Sequence, residues 1–134
     1  MNSHEYIKKE KKKFSLIGRI QSANHALRGL GIFFRLEHSS WFVTFFALLA
    51  IYLGFVLNIS SIEWLFIVLA IGVVFITETL NTAIEIDIDL TSPQYHPYAR
   101  DTKDVAAGAT LLSTVVSIIV GLIIFLPKIL DVLK

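Results

Sequence analysis

VAAGATLLSTVVSIIVGLIIFL, from Val105 to Leu126, is a run of 22 residues without a charged side chain. A helix needs about 20 apolar residues to cross the hydrocarbon core of a bilayer, with a range of about 17–25. This run meets that length on its own. Working back along the chain, Trp41 to Leu57 gives 17 uncharged residues, which also qualifies. Between them, Trp64 to Thr77 gives 14, and its helical pattern continues through Glu78 toward Glu85. That middle helix spans only if it carries its carboxylates up to the membrane surface. Three buried helices of a soluble bundle are the alternative, and the run lengths argue against it.

Composition agrees. The 134 residues are 54% hydrophobic and 17% charged, with a mean hydropathy of +0.67. Soluble domains average ~45–50% apolar and ~25% charged. A chain this short has too little interior to hide that much apolar surface. Disorder needs the opposite balance, low hydrophobicity with high net charge. The absence of cysteine excludes disulfides, thiolate metal sites and a catalytic thiol. A net charge of +1 gives no reason to expect a nucleic-acid partner.

The distribution of charge predicts orientation. Lys8, Lys9, Lys11, Lys12, Lys13, Arg19, Arg28 and Arg35 precede the first span, and Arg100 and Lys103 lie between the second and third. Only Lys128 and Lys134 fall on the other side. This asymmetry places the N-terminus and the 86–104 loop in the cytoplasm. No cleavable signal peptide is evident, because an amphipathic stretch follows the basic start. Leu16, Ile20, Ala23, Leu27, Leu30 and Phe34 recur at spacings of three and four, with Arg19, Ser22, Arg28 and Arg35 on other faces. That pattern predicts a helix lying in the interface plane. The expected organisation is one all-α membrane unit over 1–134: a basic tail at 1–13, a surface helix at 14–37, and spans at 41–58, 62–85 and 104–126. The lysines of the tail read as a solvated, topology-setting segment.

Polar chemistry gathers at the cytoplasmic ends of the second and third spans. Glu78, Asn81 and Glu85 stand at i, i+3 and i+7, one face of a helix, with Thr82 beside them and Asp89 extending the stripe. Carboxylates at membrane depth are costly and mark function by default. An ordinary helix end reaching water suits Asp87 and Asp89 but not Glu78, which an apolar run leads into and Leu80, Ala83 and Ile84 follow. A turn-rich loop comes next, Thr91 to Tyr98, then Asp101-Thr102-Lys103-Asp104. Asp101 or Thr102 is expected to cap the third helix, which would put Lys103 and Asp104 at an N-terminus able to favour phosphate. Ala106-Ala107-Gly108-Ala109 would allow close helix contact.

Neither GxxxxGK[ST] nor GxGxxG occurs. The four histidines are far apart and no HExxH is present. A nucleotide would therefore have to be held through metal-bridging carboxylates and a few basic side chains. Two glutamates with an Asn between them suit Mg²⁺, which takes oxygen ligands and shares phosphate oxygens with its substrate.

Glu78-x-x-Asn81-Thr82-Ala83-Ile84-Glu85, then Asp89, Ser92-Pro93-x-Tyr95-His96-Pro97 and Lys103-Asp104-Val105-Ala106-Ala107-Gly108-Ala109, together resemble the small integral-membrane prokaryotic diacylglycerol kinases and undecaprenol kinases. The resemblance runs from about Arg19 to Leu126, and the Ser-Pro-x-Tyr-His-Pro loop is more like the undecaprenol kinase branch. It implies a homotrimer that phosphorylates a membrane lipid alcohol with ATP at the cytoplasmic face. It implies Glu78 as general base, Glu85 and Glu37 as ligands of Mg²⁺ at the nucleotide, and Asn81 as the amide orienting the carboxylates. Lys103 and Asp104 match a nucleotide-contacting pair, Gln94, Tyr95 and His96 a nucleotide-facing loop, and Arg19 an N-terminal basic residue on the nucleotide. The family usually shows an Asn-Phe-Arg-like stretch after the early glutamate, whereas here His38-Ser39-Ser40-Trp41-Phe42 lacks the arginine. His25 has no assigned part. The acceptor could be undecaprenol or diacylglycerol, since both hydroxyls sit at the same depth. A non-enzymatic scaffold or channel subunit would account for the spans, but not for carboxylates, amide and Lys-Asp gathering on one side.

Overall fold

The computed structural model describes residues 15–134 as four helices: α1 (Leu16–Leu36), α2 (Ser39–Val56), α3 (Ser61–Thr91) and α4 (Pro97–Val132). The basic tail at 1–13, and Phe14 at the expected start of the surface helix, lie outside the described residues. α2, α3 and α4 are each long and apolar enough to cross a membrane. At 1.5 Å per residue α2 measures about 27 Å, but α3 and α4 reach about 46 and 54 Å against a hydrocarbon core of about 30 Å. Both are longer than the stretches expected from the uncharged runs, so their ends stand clear of the core.

The third span starts earlier than its uncharged run suggests. Its cap is neither Asp101 nor Thr102 but His96, whose Nδ1 accepts from the Tyr98 N–H at 3.3 Å. Pro97 fits the first helical position because no N–H is needed there. Lys103 and Asp104 are therefore in the second turn, and the phosphate-binding helix N-terminus expected beside them is not there.

α3 and α4 form an antiparallel pair in constant register. Lys103 meets Asp89, Thr77 meets Ser113 at 2.7 Å, Ser117 donates to the Ala70 carbonyl at 3.2 Å, and Lys128 meets Glu63 at 3.3 Å. The hydroxyl contacts satisfy polar groups between the helices where lipid offers no partners. α2 joins through Leu57–Ser60, a short turn in which Asn58 takes φ 48°. Asn tolerates that left-handed backbone better than most residues. Ser60 and Glu63 close a capping box on α3. Just inside the turn, Trp64 packs over Gly54 so closely that a Cβ there would stand 2.7 Å from the ring. Ile59, Ile67, Ile124 and Phe125 form the small core beneath.

α1 turns sharply into α2 through Glu37 and His38. Ser40 is fully buried and donates to the Glu37 carbonyl, which fixes the elbow. Phe33 is buried, and Phe34 lies against Trp41 and Phe75 with ring centroids 6.0 and 6.3 Å apart. The rest of α1 leaves Leu16, Ile20, Leu27 and Leu30 exposed, and the later helices expose Phe45 and Leu48 on α2, Leu65 and Val68 on α3, and Leu112 and Ile123 on α4. Contiguous apolar surface on this scale requires a non-aqueous surrounding.

Candidate active site

The elbow and the middle of α3 meet. Because α2 runs antiparallel to α3, its first turn arrives at Glu78, and the Ser39 hydroxyl donates to Glu78 Oε2 at 3.1 Å. Glu78 is 8% exposed, the most deeply buried acidic residue among those described. One turn on, buried Thr82 donates to the Glu78 carbonyl at 3.0 Å. Asn81 donates through Nδ2 to Glu85 Oε1 at 3.1 Å, while its Oδ1 is buried without a partner. Glu37, at the elbow, lies within hydrogen-bonding reach of Glu85 and feels the charge of Glu78. Burial raises the Glu37 carboxyl above the usual carboxylate range, and repulsion from Glu85 and Glu78 adds to it, against a smaller opposing effect of His38. Three carboxylates, an amide and two hydroxyls are thus gathered by α1, α2 and α3.

Beyond the carboxylates, α3 and α4 project together. Lys103 on α4 pairs with Asp89 on α3, close enough to Glu85 for their charges to interact. Asp104 is exposed, 4.0 Å from the Arg100 guanidinium. Gln94 and Tyr95 are exposed in the connecting loop. His96 caps α4 and leans on Tyr98, so its ring has a structural task of its own. Arg19 is in the first turn of α1, about 27 Å of helix away from Glu37. The structure therefore gathers Glu37, Glu78, Asn81 and Glu85, with Lys103 alongside. It leaves Gln94, Tyr95 and Asp104 on the surrounding surface and Arg19 apart.

On the other side of Glu78 an apolar cleft of about 470 Å³ runs between α2, α3 and α4. Phe42, Phe46, Ile71, Val74 and Phe125 are among its walls, and its polar lining residues are Ser39, Glu78, Thr114 and Ser117. One carboxylate thus stands between a hydrocarbon-lined space and a charged surface. Such a pairing suits proton transfer from the polar end of an amphiphile.

Ser39 is not among the residues that the sequence pattern singles out for the site; it stands only in the stretch after Glu37 that departs from the family. A hydroxyl two residues after Glu37, opening a span, was the available signal. Asp89 extends the polar stripe of α3, and its pairing with Lys103 appears only once α3 and α4 are in register.

Among the described residues, no three His, Cys, Asp or Glu side chains converge as a ready-made metal site. The donors at the elbow nevertheless fit a hard cation. Two carboxylates face each other, and a buried amide oxygen beside them has no partner.

The sequence pattern of the family described as Prokaryotic diacylglycerol kinase matches residues 24–125, which takes in every residue of the site except Arg19. The chain is similar to an undecaprenol kinase of Bacillus subtilis (strain 168), 45% identical over 104 residues, covering 78% of this chain and 85% of that protein. It is also similar to a diacylglycerol kinase of Synechocystis sp. (strain ATCC 27184 / PCC 6803 / Kazusa), 34% identical over 84% of this chain and 65% of that one. A diacylglycerol kinase of Escherichia coli (strain K12) is 31% identical over 54% of this chain and 59% of its own length.

Proposed function

The chain belongs to the prokaryotic diacylglycerol kinase family and is a membrane lipid kinase, and we propose that it transfers the γ-phosphate of ATP to the hydroxyl of undecaprenol at the cytoplasmic face, yielding undecaprenyl phosphate. The observation that carries this reading is the position of Glu78, buried at the head of an apolar cleft and beside the Glu37–Glu85 pair. The cleft suits the hydrocarbon of a lipid, the carboxylate its hydroxyl, and the outer surface a nucleotide. Undecaprenol is favoured because identity is 45% to the relative named undecaprenol kinase and 34% to the first of those named diacylglycerol kinase. Diacylglycerol is the second reading, supported by the family's own description.

Glu78 accepts the proton of the lipid hydroxyl as the oxygen attacks phosphorus. Glu37 and Glu85 would hold Mg²⁺, with Asn81 orienting Glu85. When bound, the ion would supply positive charge to offset that developing on the transferred phosphoryl group. Lys103 neutralises phosphate as a point charge, swung from Asp89. Asp104, Gln94, Tyr95 and His96 complete the nucleotide's surroundings from the surface, and Arg19, a helix length away, takes no part within one chain. The family resemblance implies a homotrimer, in which helices of neighbouring protomers would close the site. The ten-to-two distribution of basic residues supports a cytoplasmic N-terminus in the cell membrane. Assay of the purified protein with labelled ATP and both lipids side by side tests the acceptor. Faster transfer to undecaprenol supports the proposal, and transfer to diacylglycerol alone overturns it.

A further inference from the structure

We infer that Ser39 is a positioning residue for Glu78, an assignment that rests on the reading of Glu78 as the base. The Ser39 hydroxyl is the side-chain donor that reaches the Glu78 carboxylate, at 3.1 Å from Oε2. Both residues line the head of the apolar cleft. Ser39 cannot drift, because its neighbour Ser40 is buried and holds the Glu37 carbonyl. The same elbow therefore carries Glu37 and the tether of Glu78, and sets the distance between the cation-binding pair and the base.

The consequence is a division of labour between the two carboxylate oxygens. Oε2 is occupied by Ser39, and Oε1 is left to receive the acceptor's proton. In the transfer step the lipid O–H bond breaks and its proton passes to Oε1. A bond forms between the lipid oxygen and the γ-phosphorus, and the bond from that phosphorus to the β,γ-bridging oxygen breaks, releasing ADP. Ser39 keeps its own proton throughout. Without the tether the Glu78 carboxylate, repelled by Glu37, is free to turn away from the cleft. Charge-assisted hydrogen bonds of this kind hold geometry more firmly than neutral ones.

The test compares Ser39→Thr with Ser39→Val, two side chains of nearly equal shape that differ by the hydroxyl. Ser39→Val should lower kcat for lipid phosphorylation about tenfold, as expected for loss of a hydrogen bond to a charged group. KM for ATP should not change, and Ser39→Thr should keep most of the wild-type kcat. In a Glu78→Gln background, Ser39→Val should add little further loss, since positioning residues act through their target. Equal kcat for the Thr and Val variants overturns the assignment, as does a Val effect of full size in the Glu78→Gln background. Ser39→Ala gives a second comparison should the valine perturb assembly: kcat equal to wild type overturns the tether, and a tenfold loss supports it. Near-normal turnover by Glu78→Gln alone would instead overturn the underlying base reading, so the two failures are distinguishable.

Discussion

Asn81 and Glu85, one turn apart on α3, are joined by a hydrogen bond of 3.1 Å from Nδ2 to Oε1 that leaves Asn81 Oδ1 buried and unpartnered. An amide that donates to a carboxylate proposed to hold Mg²⁺ supports that carboxylate's orientation. Partners of this kind typically cost 10–100-fold in affinity when removed. Asn81→Ala should raise the Mg²⁺ concentration needed for half-maximal activity by about that factor. A magnesium titration of the variant checks it. An unchanged midpoint would show that Asn81 does not act on the cation.

Glu37 makes stability depend on pH. Its folded carboxyl binds a proton more tightly than the unfolded one, because burial and the repulsion of Glu85 and Glu78 disfavour the charge. A raised carboxylate pKa means that the folded state gains stability as pH falls through that value and loses it as pH rises. Metal-free protein in detergent should therefore melt at higher temperature on mild acidification from neutral pH. Glu37→Gln should flatten that slope and raise the Tm at neutral pH. Mg²⁺ should stabilise the wild type more at pH 8 than at pH 6. Thermal unfolding across pH, with and without magnesium, measures all three.

Gly54 is required by Trp64. An added Cβ would stand 2.7 Å from the indole, inside contact distance, and the indole cannot retreat without disturbing Ile59 and Phe55. Gly54→Ala should cost about 1–3 kcal/mol, the usual effect of overpacking. The site is at the far end of the bundle, so kcat of protein that folds should be unaffected. Detergent unfolding and the assay together check this.

Lys103 and Asp89 form an ion pair whose partners are about one-third and two-thirds exposed. Such a pair contributes little to stability, about 0–1 kcal/mol. Lys103→Met should leave the Tm nearly unchanged and raise KM for ATP at least tenfold, as loss of a phosphate contact does. KM for the lipid should not move. Equal effects on both substrates would show that Lys103 does not address the nucleotide.

The helices were legible in the sequence because an uncharged run of membrane length has few other uses. Their ends were not. His96 caps α4 through its ring nitrogen, and Pro97 opens the helix, so α4 starts well before the uncharged run. A histidine cap leaves no strong pattern in sequence, whereas the Asp-Thr pair that follows it does. On α3, Glu78, Asn81 and Glu85 share a face by helical spacing alone, and that much was readable. Glu37 joins them only because a two-residue elbow links α1 to α2 there, and Ser39 reaches Glu78 only through the α2–α3 register. Both depend on which helices pack together, which spacing within one helix does not encode. Gln94, Tyr95 and Asp104 follow from family resemblance rather than local pattern, and the chain leaves them on its surface.

The central claim is that Glu78 takes the proton of a lipid hydroxyl during phosphoryl transfer. Its most direct test is single-turnover transfer of labelled phosphate from ATP to lipid by Glu78→Gln, with ATP binding measured on the same sample. The glutamine keeps shape and the Ser39 contact but cannot accept a proton. Turnover should fall by about 10²–10⁴-fold, the usual contribution of a general base, while ATP binding stays intact. Transfer at close to the wild-type rate, by protein that binds ATP normally, would contradict it.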